Sequence, residues 1–119
     1  MFDFISRPKN RIKKLVKKGD YKEALELGKS LEEKNPNDTD VLFILGSTYY
    51  ILEDTKNSLH YFDKVLAVRE HDTEALLLKA NVHLYLKENK QVINCCNKIL
   101  KVDPNNEQAK KILKHLEKT

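Results

Sequence analysis

Residues 39–72 read TDVLFILGSTYYILEDTKNSLHYFDKVLAVREHD, and residues 73–106 follow directly as TEALLLKANVHLYLKENKQVINCCNKILKVDPNN. Aligned as two blocks of 34 residues, they share one pattern. Leu42, Leu45, Gly46, Tyr49, Ser58, Phe62 and Val65 fall on Leu76, Lys79, Ala80, His83, Val92, Cys96 and Ile99. One step back, the register falls on Pro8, Arg11, Ile12, Leu15, Ala24, Gly28 and Leu31. The prolines Pro36 and Pro104 sit two registers apart, with Glu70 in the slot between them. A fixed period of this length marks a repeat solenoid, in which no unit buries its own apolar face and each stacks on the next. Such an architecture presents a surface far more often than a reaction centre.

Within each period the apolar residues follow three- and four-residue spacing, which favours helix over strand. Seven helices are expected. Ser6-Arg7-Pro8 opens the first, with Ile5, Pro8, Ile12, Leu15 and Val16 on one stripe, and Gly19-Asp20 turns the chain. Tyr21, Ala24, Leu25, Gly28 and Leu31 mark the second, stopped at Asn35-Pro36. Asn37 to Asp40 supplies caps for a third helix, and Glu53-Asp54 makes the next turn. Thr55 is expected to cap the fourth helix and Asn89 the sixth, while His71 to Glu74 opens the fifth. The last runs from Glu107 to Lys118, with Ala109, Ile112, Leu113 and Leu116 opposite Lys110, Lys111, Lys114 and Lys118.

These residues resemble the tetratricopeptide repeat family. The block 39–72 carries the likeness best, through Leu42, Leu45-Gly46, Tyr49 and Phe62; the preceding unit adds Gly19-Asp20-Tyr21, Ala24 and Pro36, and the following one Ala80, Cys96, Ile99 and Pro104. The resemblance implies an all-α fold, a right-handed α-solenoid of three antiparallel helix hairpins plus a capping helix. The whole chain, 1–119, is then one domain with repeats at about 5–38, 39–72 and 73–106 and a capping helix at 107–118. Small residues at Ala24, Gly28, Gly46 and Ala80 let paired helices approach closely.

The family lines a concave groove with the first helix of each hairpin. Mapped onto this chain, the partner-binding positions are Lys9, Lys13 and Lys17, then Phe43, Ser47, Tyr50 and Ile51, then Leu77, Asn81, Leu84 and Tyr85. The implied function is a protein–protein interaction module, an adaptor or scaffold. Its partner is another protein, a peptide or helical segment with apolar anchors and some acidic residues. A subset of the family grips the C-terminal carboxylate of heat-shock chaperones. Its five clamp positions here are Lys9, Lys13, Ile44, Glu74 and Leu78, of which one matches and Glu74 repels a carboxylate.

Composition sets bounds on other readings. Residues 7–18 hold seven cations and no acid, whereas 39–72 hold three cations and six acids. A charge run on a surface helix is first a solvated face. An acidic protein partner comes next, and nucleic acid or an anionic membrane ranks below, because no aromatics interleave with the cations for base stacking. A homo-oligomeric, self-assembling unit is the main alternative to the partner-binding module. The apolar groove positions have two further readings: core, if the register slips by one, or a face covered by Phe2, Phe4 and Ile5. No enzyme constellation is present. The four histidines are dispersed, His83 reads as a packed residue in an aromatic slot, and the adjacent Cys95 and Cys96 read as buried thiols rather than a disulfide or a nucleophile. No cofactor and no metal is expected. Met1 to Ser6 is too short for a signal peptide or a membrane span, so the expected location is the cytoplasm.

Overall fold

The computed structural model describes residues 6–118, and among them finds seven α-helices and no strand. They are α1 (Ser6–Lys18), α2 (Tyr21–Lys34), α3 (Thr39–Ile51), α4 (Thr55–Val68), α5 (Thr73–Tyr85), α6 (Asn89–Val102) and α7 (Glu107–Glu117). Ile5, Phe4 and Phe2 lie outside the described residues, and with them the expectation that they cover a groove.

The 34-residue period reappears as local chemistry. Asp38, Asp72 and Asn106 stand one period apart and cap α3, α5 and α7. Asp38 Oδ1 accepts from the Val41 N–H, Asp72 Oδ1 from Ala75 at 3.0 Å, and Asn106 Oδ1 from Ala109 at 2.9 Å. Each bond satisfies a backbone donor that the first helical turn leaves unpaired. The turns inside the hairpins repeat equally. Gly19, Glu53 and Lys87 have φ of 84°, 61° and 60°. The next amides reach back five residues, Asp20 to the Leu15 carbonyl, Asp54 to Tyr49 and Glu88 to His83, at 2.8–2.9 Å. This is the glycine-type helix end in which a left-handed residue lets the chain close over the last turn.

Two expected caps are corrected. Thr55 and Asn89 are the first helical residues, and the caps lie one position earlier, at Asp54 and Glu88. Asp54 Oδ1 accepts the Asn57 N–H at 3.1 Å, the reach a cap needs. Glu88 forms no side-chain cap because its carboxylate turns to His83 instead.

The chain comprises two compact units, Met1–Val68 and Arg69–Thr119. In the first, α1 packs on α2 and α3, α2 on α3, and α3 on α4. Its core is Ile12, Ala24, Leu42, Leu45, Phe62 and Val65, with burial of a side chain the size of Phe62 contributing about 2–3 kcal/mol. The glycines set the spacing of these helices. A Cβ on Gly28 of α2 lies 2.6 Å from Leu45 Cδ2, and one on Gly46 of α3 lies 2.8 Å from Phe62 Cε1. In the second unit α5 packs on α6 and α6 on α7, around Leu76, Ala80, Val92, Cys96, Ile99 and Ala109.

Candidate partner-binding faces

On α1 a single residue, Ile12, is fully buried, with Pro8, Leu15 and Val16 half-buried beside it. Lys9, Lys13 and Lys17 follow at four-residue spacing on the stripe next to this apolar one. The structure gives Lys9 an internal task. Its Nζ lies 2.8 Å from Asp38 Oδ2 and 3.4 Å from Asp40 Oδ2, tying α1 to the start of α3. The hydrogen bond to Asp38 holds the Lys9 ammonium above its ordinary value. Partial burial pulls the Asp38 carboxyl upward, but the Lys9 ammonium and the capped amides outweigh it and leave it below its usual range. Lys13 and Lys17 are exposed.

The α3 positions are not core. Phe43 is half-buried, its ring tilted against Phe62 of α4 with centroids 5.9 Å apart. Ser47 follows one turn on, its Oγ buried and without a hydrogen-bond partner. Tyr50 and Ile51 then emerge, 37% and 48% exposed. In the second unit, Leu77, Asn81 and Leu84 are half-buried along one face of α5, and Tyr85 is 69% exposed. Each unit therefore carries a half-covered apolar stripe that ends in exposed apolar side chains, Tyr50 and Ile51 in the first and Tyr85 in the second. The structure brings Lys9 to the start of α3 within the first unit, with Lys13 and Lys17 exposed further along α1, and holds the four α5 positions on one helix within the second.

Within the first unit, a polar cluster also fastens α2 to α4. The Tyr61 hydroxyl donates to Glu32 Oε1 at 2.8 Å, and Lys64 Nζ donates to Oε2 at 2.7 Å. The Tyr61 ring stacks on Tyr49 at 5.8 Å, with Lys64 Nζ 5.4 Å from the Tyr61 centroid and Lys29 Nζ 5.7 Å from that of Tyr49. Burial pulls the Glu32 carboxyl upward, yet hydrogen bonds from Lys64 and Tyr61 leave it below its ordinary value. Burial, then the Glu32 carboxylate, push the Tyr61 hydroxyl well above its own. Sequence reading missed this cluster.

The remaining polar candidates are structural. His83 is buried in its aromatic slot, with Nδ1 2.9 Å from Glu88 Oε1. Cys95 and Cys96 are free and buried, and burial, then the neighbouring Cys95, push the Cys96 thiol up to about 11. Such a thiol is a poor nucleophile at neutral pH. Among the described residues, no group of three or more His, Cys, Asp or Glu is placed to hold a metal ion, and no helix is long and apolar enough to cross a membrane.

The family model for the tetratricopeptide repeat matches residues 39–72 and 73–106, more than half of the chain. The chain belongs to the tetratricopeptide repeat family. No curated protein matches it in sequence. Solved structures share its fold. The first tetratricopeptide domain of Spaghetti (RPAP3), bound to the HSP90 peptide SRMEEVD, is 19% identical, with a TM-score of 0.85 over 93% of this chain and 88% of that one. MamA of Desulfovibrio magneticus RS-1 is 26% identical, with a TM-score of 0.81 over 92% of this chain and 62% of that one. A tetratricopeptide repeat protein of Parabacteroides merdae is 22% identical, at 0.82 over 86% and 40%.

The two matched segments are each 34 residues long and adjoin directly. The fold is an all-α repeat solenoid of the tetratricopeptide type. The hairpin of α1 and α2 departs most from the pattern, with Pro8, Arg11 and Ile12 where the next repeat has Leu42, Leu45 and Gly46. Ile12 in place of a small residue is fully buried, so this hairpin packs through a different side chain at the same register.

Proposed function

We propose that this tetratricopeptide repeat chain is an adaptor whose groove positions bind an extended or helical protein segment with apolar anchors and acidic residues. One observation carries the reading. Phe43, Ser47, Tyr50 and Ile51 on α3 recur one period later as Leu77, Asn81, Leu84 and Tyr85 on α5, and both sets end in exposed large apolar side chains. Large apolar groups kept at the surface in register mark an interaction site. Tyr50 and Tyr85 are the anchors, since tyrosine offers large, stiff contact area. Asn81 hydrogen-bonds the partner backbone, and Lys13 and Lys17 favour acids at one end of it.

That one similar domain binds an HSP90 peptide with two Glu and one Asp supports an acidic segment as ligand. The mode of capture differs. Of the chaperone-clamp positions, Lys9 alone matches, and it is already paired with Asp38 and Asp40. Side chains along the peptide, not a terminal carboxylate, therefore carry recognition. Peptides selected by display against the intact chain test this. Tyr50→Ala or Tyr85→Ala should each weaken a selected peptide about tenfold, with Lys13→Glu weakening acidic ones preferentially. Peptides that bind the double variant Tyr50→Ala, Tyr85→Ala as well as the parent would sink the assignment.

A further inference from the structure

α1 meets α2 and α3 through few groups. Among its described side chains Ile12 alone is buried, whereas α3 buries Val41, Leu42, Leu45, Gly46, Thr48 and Tyr49. Lys9 adds its tie to Asp38 and Asp40. A partly solvated ion pair of this kind contributes little on its own. The joint to α2 is Gly19-Asp20, and a Cβ on Gly19 would meet nothing within 4 Å. Glycine there is free to take other backbone angles, so α1 can swing without dragging α2 with it.

Within α1 the charges work against the helix. Lys9 and Lys13, Lys13 and Lys17, and Lys14 and Lys18 stand four apart, while Arg11, Lys14 and Lys17 follow at three. Like charges at these spacings repel and weaken a helix. α1 contains no acid to relieve them, and its first turn, where a helix favours acids, carries none. Lys17 and Lys18 suit the dipole only at the far end. The last described helix, α7, is the contrast. Glu107 precedes Lys110 and Lys111 by three and four, and Lys114 precedes Glu117 by three, so opposite charges offset its like ones. Asn106 also caps it. Of these two helices, α1 alone has a docking equilibrium governed by its own uncompensated charge.

We propose that α1 is a charge-gated clasp: it undocks from α2 and α3 as a unit while the other helices stay folded, and negative charge laid along Lys13 and Lys17 closes it. That the charge comes from an acidic protein segment rests on the adaptor reading. Opening carries Lys13 and Lys17 away with α1 and leaves the α3 positions in place, so partner binding and closure form one equilibrium.

Native-state hydrogen exchange on the full chain, followed residue by residue by NMR, tests the clasp without a partner. The hydrogen-bonded amides of α1, from Asn10 onward, should exchange through an opening that leaves Leu45 and Phe62 protected. Raising sodium chloride from about 20 mM to about 0.5 M should increase α1 protection about fivefold and leave α7 unchanged. Lys14→Glu turns its pairs with Arg11, Lys17 and Lys18 from repulsive to attractive, and should increase α1 protection about tenfold at low salt. Ile12→Ala should erase that protection and spare α4. At low salt, short polyglutamate should protect α1 further and polylysine should not. Exchange of α1 only together with α3 and α4, protection that salt or Lys14→Glu leaves unchanged or lowers, or an equal salt response in α7 would overturn the clasp. Polyglutamate without effect on α1 would overturn its closure by an acidic segment. The adaptor reading fails separately, on the Tyr50 and Tyr85 variants, which exchange in the free chain does not touch.

Discussion

Gly46→Ala sets two effects against each other, and the structure decides the sign. In a helix interior alanine is favoured over glycine by about 1 kcal/mol. With open space at Gly46, the change would therefore stabilise the protein. The space is taken: an added Cβ lies 2.8 Å from Phe62 Cε1 and 2.9 Å from Cδ1. That ring is fully buried and also packs against Phe43 of α3, so it has little room to retreat without moving α3 from α4. Overpacking of a rigid core group costs about 1–3 kcal/mol. The net expectation is a loss of about 1 kcal/mol, or roughly 3–6 °C in Tm for a chain of this size. Gly28→Ala is the internal control. Its Cβ meets Leu45 Cδ2 at 2.6 Å, the far end of a side chain that can rotate, so cost and gain should nearly cancel. Urea unfolding followed by circular dichroism measures both, together with Phe62→Leu and the double variant Gly46→Ala, Phe62→Leu. The smaller leucine admits the new methyl, so the pair should be less destabilised than the sum by about 1 kcal/mol. A higher urea midpoint for Gly46→Ala, or strict additivity in the cycle, would refute the close approach of α3 and α4 as the reason for glycine.

Three further outcomes follow from other parts of the fold. Glu53 and Lys87 hold the left-handed turn that Gly19 holds without strain, so Glu53→Gly and Lys87→Gly should each stabilise by about 0.5–1 kcal/mol in the same urea assay. A loss in both would contradict the turn geometry. The Glu32 carboxyl is held below its usual value of 4.5, so the stability it adds is present above that pH and is lost as pH falls through the folded value. The stability gap between parent and Glu32→Gln should therefore shrink on acidification, and a gap independent of pH would remove the Lys64 and Tyr61 contacts from the account. Cys95 and Cys96 are buried, and the Cys96 thiol is raised to about 11, so Ellman's reagent should label neither until denaturant opens the fold. Prompt native labelling would place that helix face in solvent.

The hairpins were legible because a buried stripe leaves a trace at every turn. Ile12, Leu42, Phe62, Leu76 and Ile99 all sit where three- and four-residue spacing puts them, and all are fully buried or nearly so. Helix starts were less legible where two capping residues adjoin. At Asp54-Thr55 the hydrogen-bond reach of Asp54 to the Asn57 amide makes the selection, whereas at Glu88-Asn89 the helix starts after Glu88 with no side-chain cap at all. Long-range polar pairs left no trace. Glu32 meets Tyr61 and Lys64, and Lys9 meets Asp38, across 29 or more positions, outside any repeat spacing. Lys9 thus entered the groove by register while its charge was already engaged. The exposure of Tyr50, Ile51 and Tyr85 was legible in the opposite sense: a register slip would have put them in the core, and they lie at the surface.

The period separates two kinds of position, and the separation bears on function. Some positions repeat in kind: Asp38, Asp72 and Asn106 as caps, Gly46 and Ala80 as small residues, and Gly19, Glu53 and Lys87 in one backbone conformation. These hold the hairpin geometry, and geometry tolerates little variation. Others repeat only in place. Phe43 becomes Leu77, Ser47 becomes Asn81, Tyr50 becomes Leu84 and Ile51 becomes Tyr85. Packing does not explain that variation, because these side chains are half-covered or exposed and their volumes are free to differ. Under the proposed adaptor reading, each unit would then select by the side chains it presents at these positions. That reading fits a chain whose Lys9, the sole match to a terminal-carboxylate clamp, is spent on joining α1 to α3.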